Sequence, residues 1–150
     1  MPVSTYRLNI VEKLYLPLVE RFYADSKYSV KCGRLDHVYS FTLNGKIIAA
    51  ARLILQQSNT YLLRNLCVSP DYRRQGIASH FLAEILLQLV PTNCFCFTST
   101  PLQHFYENIG FICFSAEQVP QDIGDVYLRY RERKRGWILM GFVHNSFAHN

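Results

Sequence analysis

Hydrophobic and polar positions divide this chain into short elements of two periods. "HVYSFTLNGKIIAAARLIL" is the clearest unit. Two runs rich in apolar and β-branched residues, over 38–43 and 46–55, flank Asn44-Gly45. That dipeptide supplies the two positive-φ residues of a type I′ turn and predicts a β-hairpin. "QQSNT" makes the next turn, and "YLLRNLCV" over 61–68 predicts a further strand antiparallel to the one before it. In "GIASHFLAEILLQLV" the period changes. Ile77, Phe81 and Ile85 form one i, i+4 row, and Ala78, Leu82 and Leu86 the next. His80, Glu84 and Gln88 lie off these rows, so the pattern predicts an amphipathic helix, stopped by Pro91. His80 reads as an exposed helix residue rather than a catalyst.

The flanking segments extend the pattern. "NIVE" has the form of a capping box, with Asn9 as N-cap and Glu12 three residues on. The rows Leu14, Leu18, Phe22 and Tyr15, Val19, Tyr23 predict a helix to about Ala24, kinked or restarted at Pro17. "CFCFTST" reads as a short buried strand. Returning after a helix, it should run parallel to the strand over 61–68. "PLQHFYENIG" opens with Pro101 in the first helical turn and closes with Gly110 past the end, a short helix with both end signals. "FICFS" predicts a strand, the second half of "VPQDIGDVYLRYRERKRG" a helix, and "WILMGFV" a final strand with Trp137 as a core or interface aromatic. The order β-α-β-β-β-α-β-α-β-α-β describes a mixed α/β or α+β domain.

Composition narrows this picture. At 150 residues the chain fits one domain, expected to span 1–150. With 49% hydrophobic and 18% charged residues, a disordered chain is excluded. No apolar stretch approaches the ~18 residues of a membrane span, and "MPVSTYRLNIVEK" lacks the apolar stretch of a signal peptide. A cytoplasmic protein with no membrane partner is expected. The five cysteines are Cys32, Cys67, Cys94, Cys96 and Cys113, and no two have C-x-x-C spacing. They read as buried small hydrophobes. A zinc site from Cys94, Cys96 and His104 is the sharper alternative. It lacks an evident fourth ligand, and no metal is expected. The net charge is +5, but "RYRERKR" over 129–135 holds five basic residues and one acid, so +4 of it sits in one segment. That segment reads as a solvated helix face near the C-terminus. Nucleic-acid binding is not expected, since only Tyr130 is interleaved there for base stacking.

The most informative chemistry lies in "VSPDYRRQGIASHF", over 68–81. A strand that ends in a glycine-bearing loop and opens a helix is an anion-binding arrangement. The first N–H groups of a helix have no intrahelical partner, and its dipole favours negative charge there. Gly76 lets a phosphate approach the backbone, and Arg73 and Arg74 add charge and paired donors. The stretch is neither G-x-G-x-x-G nor a nucleotide P-loop.

"LRNLCVSPDYRRQGIASHFL" resembles motif A of the GNAT family of N-acetyltransferases. That motif has Gln or Arg, then glycine three residues on, then Gly or Ala two further, after a strand ending in V-x-P. Arg73, Gly76 and Ala78 stand at its three positions. "PLQHFYENIGF" resembles the family's motif B, with Phe105, Tyr106, Gly110 and Phe111 at F-Y-x-x-x-G-F. The two motifs stand either side of one helix and one strand, as in the family, and the resemblance covers most of the chain. It implies a GNAT-like fold, a central mostly antiparallel sheet with a splayed parallel strand pair, flanked by helices. It implies acetyl-CoA as co-substrate and transfer of the acetyl group to a primary amine of a small molecule or peptide, by direct attack in a ternary complex. The implied pyrophosphate site is Arg73, Arg74, Gln75, Gly76, Ile77, Ala78 and Ser79. The pantetheine arm would pair with the strand edge at Leu66, Cys67 and Val68, as an added strand does. The Val68 amide would polarise the thioester carbonyl, and Tyr106, with Phe105 beside the cofactor, would protonate the leaving thiolate.

One family feature is missing. Many members carry a glutamate base on the strands that here read "KIIAAARLIL" and "YLLRNLCV", which have no carboxylate. Those strands carry Arg52 and Arg64 instead. A mid-strand arginine needs a partner. Either an internal carboxylate such as Asp36 or Glu12 supplies it, or a carboxylate-bearing acceptor does, with Arg64 and Asn65 ranked first and Arg52 after them. The chain is expected to act as a monomer or homodimer. A non-catalytic acetyl-CoA or CoA sensor is the alternative reading, and a sensor would have no need of Tyr106.

Overall fold

A computed structural model describes residues 5–144 of the chain. The ends of the expected 1–150 domain, residues 1–4 and 145–150, lie outside the described residues, as does the start of the segment read for a signal peptide. The elements follow the expected order: β1 (Tyr6–Ile10), α1 (Leu16–Asp25), β2 (Asp36–Leu43), β3 (Lys46–Leu55), β4 (Tyr61–Val68), α2 (Ile77–Leu89), β5 (Cys94–Thr98), α3 (Gln103–Ile109), β6 (Ile112–Phe114), α4 (Gln121–Arg133) and β7 (Ile138–Phe142). The sheet is mostly antiparallel with one parallel pair, and helices flank it. The chain groups into two compact units, one ending at Ile54 and resuming over Leu63–Leu87, the other formed by Leu55–Leu62 and the residues from Gln88 on.

In the first unit β1, β2, β3 and β4 follow one another across the sheet. Asn44 (φ 51) and Gly45 (φ 80) make the turn that joins β2 to β3, and Leu43 faces Lys46 across it. A register shift follows between Phe41 and Thr42. Val19, Phe22 and Tyr23 of α1 pack on Val38, Ala50 and Cys67. Phe81 of α2 meets Phe41, with ring centroids 5.1 Å apart. His80 is exposed, as expected, with its ring edge against Phe41 and Tyr6.

The first helix departs from expectation. Asn9 is not an N-cap. It lies in β1 opposite Ser40, and its side-chain amide donates to Ser40 Oγ at 3.3 Å and Thr42 Oγ1 at 3.2 Å. The helix begins at Leu16, after a single 3-10 turn over Lys13–Tyr15, with Pro17 in its first turn. A proline is tolerated there because the first N–H groups have no helical partner.

In the second unit Tyr61 and Leu62 pair in parallel with Cys94 and Phe95, as the strand–helix–strand order requires. β5 then pairs antiparallel with β7, and β7 with the edge strand β6. Leu62, Phe95, Ile123, Tyr127 and Leu139 form its core. Gly110 (φ 122) caps α3, its amide donating to the Tyr106 and Glu107 carbonyls. Trp137 is half-buried against Tyr130, and its carbonyl accepts from the Tyr127 hydroxyl at 2.8 Å. Cys67, Cys94 and Cys96 are buried, but Cys113, expected to be buried in an apolar run, is exposed because β6 is an edge. The basic segment forms the exposed end of α4 and the residues after it.

Candidate active site

The strand–loop–helix of the first unit is built from a sequence that cannot run straight from β4 into α2. Pro70 opens a 3-10 turn over Pro70–Tyr72 and removes one donor from the chain. Arg74 (φ 63) and Gly76 (φ 75) then both take the left-handed conformation, with Gln75 between them. Left-handed residues within a turn point successive N–H groups to one side, a concavity that suits an anion. A Cβ built on Gly76 would meet nothing within 4 Å, so the approach to the backbone is open there. Ile77 anchors the start of α2 at 3% exposure, while Ala78 is half-buried and Ser79 exposed. Their amides, at the helix start, have no partner within the helix. Arg73 is fixed by a bond from its Nε to the Val68 carbonyl at 3.0 Å. This places two guanidinium groups, a turn of left-handed backbone and a helix N-terminus in one stretch. The donors suit a pyrophosphate, and the backbone at Gly76 is open to approach.

Leu66, Cys67 and Val68 form the end of β4. Leu66 is half-buried and the other two are buried. Burial raises the Cys67 thiol above its ordinary value, so it stays protonated at neutral pH. The expected site residues of the second unit, Phe105 and Tyr106, lie on α3. Tyr106 is 7% exposed, with its ring against Phe105 and Phe111 at 4.9 and 5.3 Å. Burial, with smaller contributions from Cys96 and Cys94, pushes its hydroxyl well above the usual tyrosine range. The proton therefore remains on Tyr106 throughout the physiological pH range. Cys94 is pushed up to about 12 by burial alone. His104, the third ligand of the zinc alternative, is exposed, and no metal-holding cluster of His, Cys, Asp or Glu occurs among the described residues.

Arg52 has an internal carboxylate partner. Its Nε donates to Asp36 Oδ2 at 2.7 Å and its Nη1 to Asn65 Oδ1 at 2.7 Å. Glu12, the other internal candidate, lies in an exposed turn before α1. The Asn65 carbonyl accepts from the Tyr23 hydroxyl at 2.8 Å. Tyr23 had no place among the expected site residues. A signal was present, because a tyrosine on the apolar row of a helix needs a partner for its hydroxyl. Arg64 is half-buried in β4.

Comparison with known proteins bears on the fold and the family. A UPF0039 protein of Schizosaccharomyces pombe is 29% identical over 109 residues, covering 67% of this chain and 68% of that protein. Among solved structures, the Escherichia coli N-acetyltransferase that acts on an alanine of a ribosomal protein superposes with a TM-score of 0.67 at 18% identity, over 93% of this chain and 96% of that one. Escherichia coli ElaA gives 0.66 at 14% identity, over 93% and 99% of the two chains. The Neisseria gonorrhoeae N-acetylglutamate synthase, in complex with coenzyme A and N-acetyl-glutamate, gives 0.68 at 14% identity, over 93% of this chain and 35% of that one. At such identities the superpositions speak to the fold. Residues 34–113, more than half of the chain, match the acetyltransferase (GNAT) domain family. That match holds the hairpin, the loop before α2 and α3 within one stretch, and by it the chain belongs to the GNAT family of acetyltransferases.

Proposed function

We propose that this chain is an acetyl-CoA-dependent N-acetyltransferase acting on a primary amine of a small molecule or peptide in a ternary complex. The observation that carries this reading is the loop over 73–76, with its two left-handed residues and the open approach at Gly76 before the first amides of α2. In this reading the amides of residues 74–79 hold the pyrophosphate, and Arg73 and Arg74 neutralise it. Bound acetyl-CoA supplies a thioester carbonyl open to direct attack by the amine. The residues of the chain prepare that attack. Leu66, Cys67 and Val68 offer a strand edge for the pantetheine amides. The Val68 amide stabilises charge developing on the carbonyl oxygen. Tyr106 keeps a proton at its hydroxyl for the departing sulfur. β3 and β4 carry no carboxylate, so the amine either gives its proton to water or arrives neutral, as an acceptor of low amine pKa does. Fold relatives named for N-acetylation of an alanine and for N-acetylglutamate synthesis are in keeping with an amino-acid-like acceptor. The five free cysteines suit a reducing compartment, and we assign the reaction to the cytoplasm.

Gly76→Val tests the reading. A β-branched residue is strained at φ 75, and its side chain enters the space left for the phosphate. Calorimetry on the folded variant should show acetyl-CoA affinity lost. Wild-type affinity in that variant would refute the phosphate site.

A further inference from the structure

Asn65 takes φ 58 in the interior of β4. Asparagine reaches the left-handed region more readily than most residues, but nothing in a strand calls for it. The surrounding side chains hold it there. Tyr23 donates to its carbonyl at 2.8 Å, and Arg52 Nη1 to its Oδ1 at 2.7 Å. Arg52 is in turn fixed by Asp36 Oδ2, which also accepts from the Gly33 amide at 2.7 Å. α1, β2, β3 and the loop before β2 thus converge on one backbone position. The Arg52 and Asp36 side chains are 17% and 6% exposed. A pair so far from water is weak evidence of stabilisation, and registry is its best-attested use. A backbone outlier persists only where its surroundings over-determine it.

Burial along β4 does not alternate. Leu62 and Leu63 are both buried, then Arg64, Asn65 and Leu66 are half-buried, then Cys67 and Val68 are both buried. A regular strand alternates faces, and an irregular residue re-aims those that follow it. The residues that follow Asn65 in the strand are Leu66, Cys67 and Val68. We infer that Asn65, held by Arg52 and Tyr23, is a positioning residue that sets the orientation of the strand edge over 66–68. Arg52 then serves the backbone of β4 and not an acceptor carboxylate. This rests on the proposal that the same edge receives acetyl-CoA.

Two variants and two readouts test it. Asn65→Asp keeps an acceptor oxygen and tolerance of the left-handed region. Asn65→Ala loses both. Amide hydrogen exchange should be faster at residues 66–68 in Asn65→Ala and unchanged in β2, with kcat lower by about 10²-fold, the effect of a ~1 Å misplacement. Acetyl-CoA affinity should fall by less than kcat does, because the loop over 73–79 keeps its hold on the pyrophosphate while the pantetheine edge is misplaced. Asn65→Asp should restore both exchange and kcat. If Asn65→Ala does not fold, Arg52→Lys, which keeps the charge and loses the planar fork, should show the same exchange change. Unchanged exchange at 66–68 in a folded variant overturns the inference, as does an Asn65→Asp variant as impaired as Asn65→Ala. A wild-type chain that neither binds nor turns over acetyl-CoA refutes the proposed activity instead, and the exchange comparison still decides the positioning role.

Discussion

At the scale of single residues, Tyr106 carries the sharpest prediction. Its burial keeps the hydroxyl protonated, and also makes it a weaker acid than an exposed tyrosine. If it delivers the proton to the departing thiolate, phenylalanine at this position keeps the ring contacts with Phe105 and Phe111 and removes only the proton. Tyr106→Phe should lower kcat by ~10²–10⁴-fold, about 3–5 kcal/mol of barrier, with acetyl-CoA affinity within a few-fold of wild type. Turnover at the wild-type rate would make Tyr106 a packing residue. Arg64 carries a second prediction. If it holds an anionic part of the acceptor, Arg64→Met raises the acceptor KM and leaves the acetyl-CoA KM nearly unchanged in steady-state assays. Equal movement of both constants would assign it to structure. The need of Arg52 for a carboxylate was legible in the sequence, because a mid-strand guanidinium must be paired. The joint hold of Arg52 and Tyr23 on Asn65 was not, since nothing local announces a left-handed residue inside "LLRNLCV".

At the scale of elements, local signals held where the chain closes on itself and failed where a distant partner competed. Asn44-Gly45 and Gly110 were sufficient, because turn conformation is decided within a few residues, whereas Pro101, expected in the first helical turn, lies in a 3-10 turn over Thr100–Leu102 that precedes α3. Asn9 shows the opposite case. Its capping-box spacing is real, but pairing of β1 with β2 gives its amide two hydroxyls on a neighbouring strand. Cys113 shows it again, since an apolar run does not reveal that its strand lies at a sheet edge. Gly124 offers an element-scale test. It is buried in α4, and a Cβ there would stand 2.5 Å from the Ala116 carbonyl oxygen, which is backbone and cannot swing away. Gly124→Ala should destabilise the chain by about 1–3 kcal/mol, the usual cost of overpacking, seen as a lower midpoint in urea unfolding. An unchanged midpoint would mean that the 3-10 turn over Ala116–Gln118, which carries that carbonyl, shifts freely.

At the scale of the whole molecule, the fold class and the strand–loop–helix over 61–89 were legible because each rests on a periodic pattern or on one contiguous stretch. The acceptor is not written in such a stretch. No motif in the chain marks the residues that would bind it, and β3 and β4 carry no carboxylate to mark a base. The positive charge is no guide either. Its densest segment is the exposed end of α4, where Arg131 covers the Tyr127 ring and Lys134 the Trp137 ring at 5.5 and 5.7 Å. These contacts describe a solvated helix end whose cations also suit the helix dipole. Binding that favours the folded state should stabilise the whole chain, by about 2.7 kcal/mol at a hundredfold excess over Kd. Acetyl-CoA should therefore raise the melting temperature of the wild type and not of Gly76→Val. The central claim is acetyl transfer to an amine, and the most direct measurement is free-CoA release across a panel of amines, amino acids and peptides, with Gly76→Val as control. The account predicts release above hydrolysis for at least one primary amine, with a stoichiometric N-acetyl product, and its loss in Gly76→Val. Tight acetyl-CoA binding with no release above hydrolysis for any amine in the panel would contradict it and leave a CoA-binding module without turnover.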